Sequence, residues 1–399
     1  MELFHSYHRS KMYRVMHSDF WLFEFSLWLH MFSRSMIAIF IPIFLLDAGY
    51  CLGEVMLFYL FFYIFDVPLN FVAKRLITKI GARNVIIWSL VCFMIFYFCL
   101  YSLGAGNWFL LLLIAFLAAC YDALYWVPHF FLFMRCSKND DNVGRDTSIT
   151  GIVIQVAGML APAFGAIILI IFSKKVLIVV SMFALFFSIY PLLKIKNLKD
   201  KPKMLERQLS FWQFFKKYHD IKDYLSLLLY SIPRTVEAII FPIFVYILFS
   251  SIESVAALPI IVSITTLAFV YFVGGTAKKR RNYLIASGAV LMAIIWLLRI
   301  IITNEIFIYA SVFLLGFFAV IVWLPLESNL YEKGEKKDIL SAATYINTAY
   351  MLPNIVLFAV LAMLTNVFEV SFFVTAICLI VLMLLNSVYR LKPMKRFGI

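Results

Sequence analysis

The sequence predicts an all-α membrane protein, with twelve transmembrane helices arranged as two pseudo-symmetric six-helix bundles. Three observations predict it. The 399 residues are 64% hydrophobic and only 14% charged, where soluble domains carry about 25% charged residues. The apolar runs are each about 20 residues or longer, enough to cross a hydrocarbon core of about 30 Å as helix, whereas barrel strands would alternate over about ten residues. The third is that the chain repeats itself at a distance of about half its length.

Taken in order, the first run, 20–46, follows a basic segment, 1–19, and is too long for a signal-peptide core. Runs 53–73, 84–104, 108–134, 147–172 and 176–194 complete the first bundle, 20–194. A Lys-rich stretch, 195–221, ends in Phe211-Trp212-Gln213-Phe214-Phe215 and reads as a linker with an interfacial amphipathic helix. Runs 222–249, 254–274, 283–303, 306–331, 339–364 and 369–389 form the second bundle, 222–389, before a tail, 390–399.

A net charge of +13 would suggest nucleic acid in a soluble chain, but here it follows membrane topology. Of 35 Lys and Arg, 30 lie in the N-terminus, the even-to-odd loops and the C-terminus, among them Lys74, Arg75, Lys278, Arg280, Lys392 and Arg396. Only Lys174 and Lys175 fall in loops on the other side, which are short and lean acidic (Asp47, Glu54, Glu253, Glu305, Glu369). The positive-inside rule therefore puts both termini in the cytoplasm. The expected location is the plasma (inner) membrane, with the bilayer as partner, no nucleic acid and a monomeric chain. The six cysteines have no metal or redox spacing and read as free thiols.

The repeat is carried by three matches. Arg34 precedes Pro42 by eight residues in helix one, as Arg234 precedes Pro242 in helix seven, and the residues between are similar. Arg83-Asn84 matches Arg281-Asn282, and Trp126-Val127-Pro128 matches Trp323-Leu324-Pro325. The offsets drift slowly from 200 through 198 to 197, in one order along the chain. The two prolines are expected as kinks at equivalent depths.

With six plus six helices, cytoplasmic termini and a basic central loop, the chain resembles the major facilitator superfamily over nearly its whole length. Lys74-Arg75-Leu76-Ile77-Thr78-Lys79-Ile80-Gly81-Ala82-Arg83 is similar to that family's loop signature, Gly-x-x-x-Asp-Arg-x-Gly-Arg-Arg. Gly81, Arg83 and Lys79 fit, whereas Lys74 stands for the first Gly and Thr78 for the acidic residue. The resemblance implies a gating role for Gly81 and Arg83. Gly158-Met159-Leu160-Ala161-Pro162-Ala163-Phe164-Gly165-Ala166 is similar to a degenerate form of the Gly-Pro-x-x-Gly-Gly motif of exporter branches, and also suits close helix packing around a Pro kink.

Ions inside a membrane usually pair, face water, or do both, because an Arg at a helix centre costs about 2.5–3.5 kcal/mol on the insertion scale. Arg34 and Arg234 lie near mid-span of helices one and seven, which in the family line a central cavity with helices four and ten. Helix four brings Tyr121, Asp122 and Tyr125 to that depth, and Asp122, Trp126 and His129 share a face by spacing, as do Tyr230, Arg234 and Glu237. Two arrangements stay open. Either Arg34 pairs with Asp122 and Arg234 with Glu237 as packing ion pairs, or the two guanidiniums hold an anion between them, bidentately. The second resembles the arginine pair of the organophosphate:phosphate antiporter branch. Candidate substrate contacts are Arg34, Arg234, Tyr121, Tyr125, Trp126, Trp323 and Asn347. Candidate coupling groups are Asp122, Glu237 and His30, with gating assigned to Asp66, Gly81, Arg83 and Glu327. Glu24 and Arg299 are expected near the interface, Arg299 snorkelling from peripheral helix nine.

The resemblance implies secondary transport of a small, anionic solute by alternating access, with a proton or counter-ion as symported or antiported partner. The alternative is proton-coupled export of amphipathic compounds or lipids, which the 42 Phe would suit. An enzyme or scramblase is disfavoured: the sequence has no His-Glu-x-x-His, no Walker-type loop and no cofactor motif.

Overall fold

The computed structural model describes residues 18–104, 106–136, 143–195, 213, 221–274, 281–335 and 339–388. The expected interfacial helix of the linker, the N-terminal segment up to residue 17 and the tail lie outside these residues. Among them are twelve helices long and apolar enough to cross a membrane. They are α1 (Asp19–Asp47), α2 (Leu52–Ile80), α3 (Ala82–Tyr101), α4 (Trp108–Cys136), α5 (Val143–Ile171) and α6 (Lys174–Lys194), then α7 (Lys222–Phe249), α8 (Ile252–Gly274), α9 (Arg281–Ile301), α10 (Glu305–Glu335), α11 (Ile339–Leu361) and α12 (Val367–Val388).

Local chemistry sets the ends. Ser18 caps α1, its hydroxyl accepting from the Trp21 amide, with Asp19 in the first turn where the helix dipole favours an anion. Hydropathy alone would end α2 at 73, yet the helix runs on to Ile80, because Lys74 and Arg75 end the apolar run without breaking backbone bonds. Gly81 breaks it, at φ 87, a conformation that disfavours any side chain. The α10 helix likewise overruns to Glu335. Extra turns therefore project on the side of the termini, while connections on the other side are short.

The packing repeats with the sequence. In the first half α1 packs on α5 and α6, α2 and α3 on α4, and α3 on α6; in the second, α7 packs on α11 and α12, α8 and α9 on α10, and α9 on α12. The halves meet through α2 with α11 and through the symmetry-equivalent α8 with α5, joined by α4 with α11. The antiparallel α1–α6 seam is registered by hydroxyls: Ser26 donates to the Ser188 carbonyl at 2.7 Å and Ser33 to that of Ser181 at 2.8 Å.

The small residues of α5 serve this packing. A Cβ on Gly165 would stand 2.4 Å from the Met36 carbonyl oxygen of α1, and one on Gly158 would meet Ser263 Oγ of α8 at 3.1 Å. The first obstacle is backbone and the second a rotatable hydroxyl. Gly165→Ala is expected to destabilise by about 1–3 kcal/mol through forced separation of α1 and α5, and Gly158→Ala by less. Apparent melting temperatures in detergent check the order; equal values would remove this account of the motif.

Both prolines of the repeat follow a helix irregularity. In α1 a 3₁₀ turn, Ala38–Phe40, precedes Pro42; in α7 a π turn, Val236–Ile240, precedes Pro242. The two defects sit at matching positions but are of opposite kind.

Candidate functional site

Arg34 lies on α1 just before its 3₁₀ turn and is half-buried. Its guanidinium carbon stands 5.8 Å from the Trp126 ring centroid on α4, and among the described residues it makes no ion pair within 4 Å. Arg234 of α7 is exposed within the protein and stands 5.1 Å from the Tyr350 ring of α11. Asp122 of α4 is buried and within electrostatic range of both arginines. Its Oδ2 has no hydrogen-bond partner. A tight Arg34–Asp122 ion pair is thus not formed.

The carboxylate expected beside Arg234 is elsewhere. Glu237 sits in the π turn, which adds a residue to the helix repeat and turns the side chain off the Tyr230–Arg234 face. It accepts from both terminal guanidinium nitrogens of Arg299 of α9, at 2.5 and 3.4 Å. Arg299 does not snorkel: it is 0% exposed, donates to Ser311 of α10 at 2.8 Å, and stacks on Phe241 and Trp296 at 3.5 and 4.6 Å. Sequence spacing alone gave no sign of this partner, since α7, α9 and α10 come together only in the packed half.

Three further expected residues lie within the first half. His30 Nε2 and the Tyr121 hydroxyl are 2.5 Å apart, and the His30 ring lies on Tyr125 at 3.9 Å. Tyr121 is itself stacked on Phe93 at 3.8 Å. All three are buried, and the His30 ring also meets that of Trp126 edge-on at 6.5 Å, so the cluster packs as a wall beside Trp126. Glu24 is buried rather than interfacial and accepts from Thr150 of α5.

A polar ladder joins the halves along α2 and α11. Asn70 donates to Asp66 Oδ2 at 2.8 Å and accepts from Asn347 Nδ2 at 2.7 Å. Asp66 is 0% exposed, its Oδ1 unpartnered, and is in electrostatic range of Asp122. Deeper in, Tyr63 stands 3.5 Å from Thr235 of α7 and stacks on Phe358. Toward the termini side Lys74, buried, donates to Ser341 Oγ at 2.7 Å beneath the Tyr345 ring. Asn347 is therefore a link between halves through Asn70.

Lys74 was legible only as a departure from the loop signature; the structure makes it a cross-half contact. Lys74→Ala removes a charge-assisted bond of about 1.5–3 kcal/mol, so α2 and α11 should part more often at this end. A cysteine at Thr344, which is buried on α11 one turn from Ser341, should then react at least several-fold faster with a water-soluble maleimide. An unchanged rate would exclude Lys74 as a latch.

Of the other gating candidates, Gly81 forms the one-residue turn between α2 and α3. Arg83 donates to the Ile195 carbonyl at 2.7 Å, capping the end of α6 in its own half. The side chain of Glu327 lies outside the described residues. Trp323 is half-buried against the main core.

At the level of sequence, no curated protein matches the chain. The profile of the Major Facilitator Superfamily matches residues 24–357. Among solved structures, a POT family transporter in complex with 5-aminolevulinic acid superposes with a TM-score of 0.68 at 13% identity, covering 92% of this chain and 95% of that one. At that identity the likeness is one of fold.

Proposed function

The chain belongs to the major facilitator superfamily, an integral, multi-pass membrane protein of a secondary-transport family, and on that premise we propose that it carries a small anionic solute by alternating access, with Asp122 taking up a proton. The observation that carries the reading is the position of Asp122 in range of both Arg34 and Arg234, one from each half. Guanidiniums in that placement suit a carboxylate or phosphate shared between the halves, as in the organophosphate:phosphate antiporter branch. Two guanidiniums and two carboxylates, Asp66 and Asp122, occupy this centre. A bound anion adds negative charge where the effective dielectric is low, and protonation of Asp122 cancels it. Trp126 and Tyr350 hold the arginines by their ring faces; the ladder from Asp66 to Asn347 closes the path on one side.

The rocking units are the halves 20–194 and 222–389, with both termini cytoplasmic in a plasma (inner) membrane, as the loop charge supports. The test is uptake into proteoliposomes of labelled phosphate, mono- and dicarboxylates, a neutral sugar and a cationic dye, at inside pH 7.5 and outside pH 5.5 or 7.5. Anion uptake stimulated by outside acid is expected. Uptake of the dye with none of any anion would overturn the reading in favour of amphipath export.

A further inference from the structure

We propose that the protein holds one anionic phospholipid on its lipid-facing surface, with an acyl chain between α3 and α6 and the phosphate on Lys175. The site lies on the exposed faces of α3 and α6 and does not depend on what the central arginines bind. Seven side chains, Met94, Phe98 and Tyr101 of α3 with Val179, Met182, Phe183 and Phe186 of α6, line a wholly apolar cavity of about 490 Å³. They repeat at helical spacing, so the cavity is a groove along both helices. It extends about 10 Å at 1.5 Å per residue over seven or eight residues.

The groove opens outward: Phe98, Phe183 and Phe186 are more than 60% exposed. Met and Phe adapt to a chain of irregular conformation. Any bilayer tail could enter such a groove; its upper rim selects among headgroups.

Lys175 lies there, its ammonium 5.1 Å from the Tyr101 ring that lines the groove. Lys174 and Lys175 are the first two residues of α6, and the only Lys or Arg between the hydrophobic runs on the side opposite the termini. Cations at a helix N-terminus oppose the dipole, and no acidic residue occupies that first turn. Two unfavourable placements coincide at the mouth of an apolar groove, and a phosphate there relieves the repulsion. Complementary charge at the rim and apolar length below it together match an anionic phospholipid lying in the leaflet opposite the termini.

The test uses the full-length protein in detergent with phosphatidylglycerol or phosphatidylcholine added, and counts retained lipids by native mass spectrometry. Each lysine near an anionic membrane surface contributes about fivefold in affinity, so the pair contributes about twenty-five-fold. Lys174→Gln/Lys175→Gln should lose one tightly held phosphatidylglycerol and leave phosphatidylcholine retention unchanged. Met182→Trp, which fills the groove, should lose the same lipid with both lysines present. Lys278→Gln/Lys279→Gln, in a loop on the side of the termini, should not lose it. Equal retention in wild type and the lysine variant, or loss of both lipids alike, would overturn the proposal. Loss on removing the lysines but not on filling the groove would also overturn it, leaving only a surface charge effect. A melting profile of each variant in detergent alone separates lipid loss from misfolding.

Discussion

Glu237→Leu is expected to cost the fold about 3–5 kcal/mol, because it strands a buried guanidinium. Arg299 is fully enclosed by Phe241, Trp296 and Ser311, and Glu237 is its only described carboxylate. Ring faces and one hydroxyl cannot replace the two bonds to the carboxylate. The reverse change, Arg299→Met, should cost less, since the Glu237 side chain keeps 25% of its surface exposed and water can solvate it. The double variant should recover most of the loss, as an apolar pair of similar volume substitutes for a buried ion pair. Thermal unfolding in detergent followed by size-exclusion fluorescence reads all three. A double variant no better than Glu237→Leu would show that the carboxylate acts elsewhere as well.

Arg34→Lys and Arg234→Lys should each weaken anion binding tenfold or more while leaving a folded protein, since a point ammonium loses the bidentate fork of about 1.5–3 kcal/mol per charged bond. The effect should be larger at Arg34, which is half-buried beside Trp126, than at the more exposed Arg234. Asp122→Asn should preserve anion binding and remove the stimulation of uptake by outside acid, because the amide carries no exchangeable charge. Binding by isothermal titration and uptake at two pH values check both. Undiminished anion transport in both lysine variants would end the proposal for the central site, with the twelve-helix fold untouched.

The twelve helices were legible because a span is a collective property: apolar length and loop charge average over dozens of residues. The nearness of Arg34, Asp122 and Trp126 was legible because α1 and α4 keep regular spacing up to them. Glu237 was not, since the inference assumed 3.6 residues per turn where the backbone takes a π turn. Arg299 was misread for a related reason. Its place near a helix end suggested lipid, but whether such a residue faces lipid or a neighbour depends on helix rotation, which α9 settles against α10 and α12. The His30, Tyr121 and Tyr125 cluster was visible as polarity at the right depth, though its closure into a packed wall needed Phe93 from α3.

The opposed 3₁₀ and π turns have a mechanical consequence. Pro42 and Pro242 each lack an amide hydrogen, so beyond the two turns the tips of α1 and α7 on the side opposite the termini are tied to the rest of their helices by an already irregular bond ladder. Tip meets tip through Tyr246, whose hydroxyl donates to Asp47 at 3.2 Å. Each tip is thus separated from the arginine on the segment before it by a joint with fewer regular helix bonds. An overwound joint in one half and an underwound joint in the other also respond to the same twist with opposite strain. Two halves alike in sequence therefore carry backbones wound in opposite senses at the same joint.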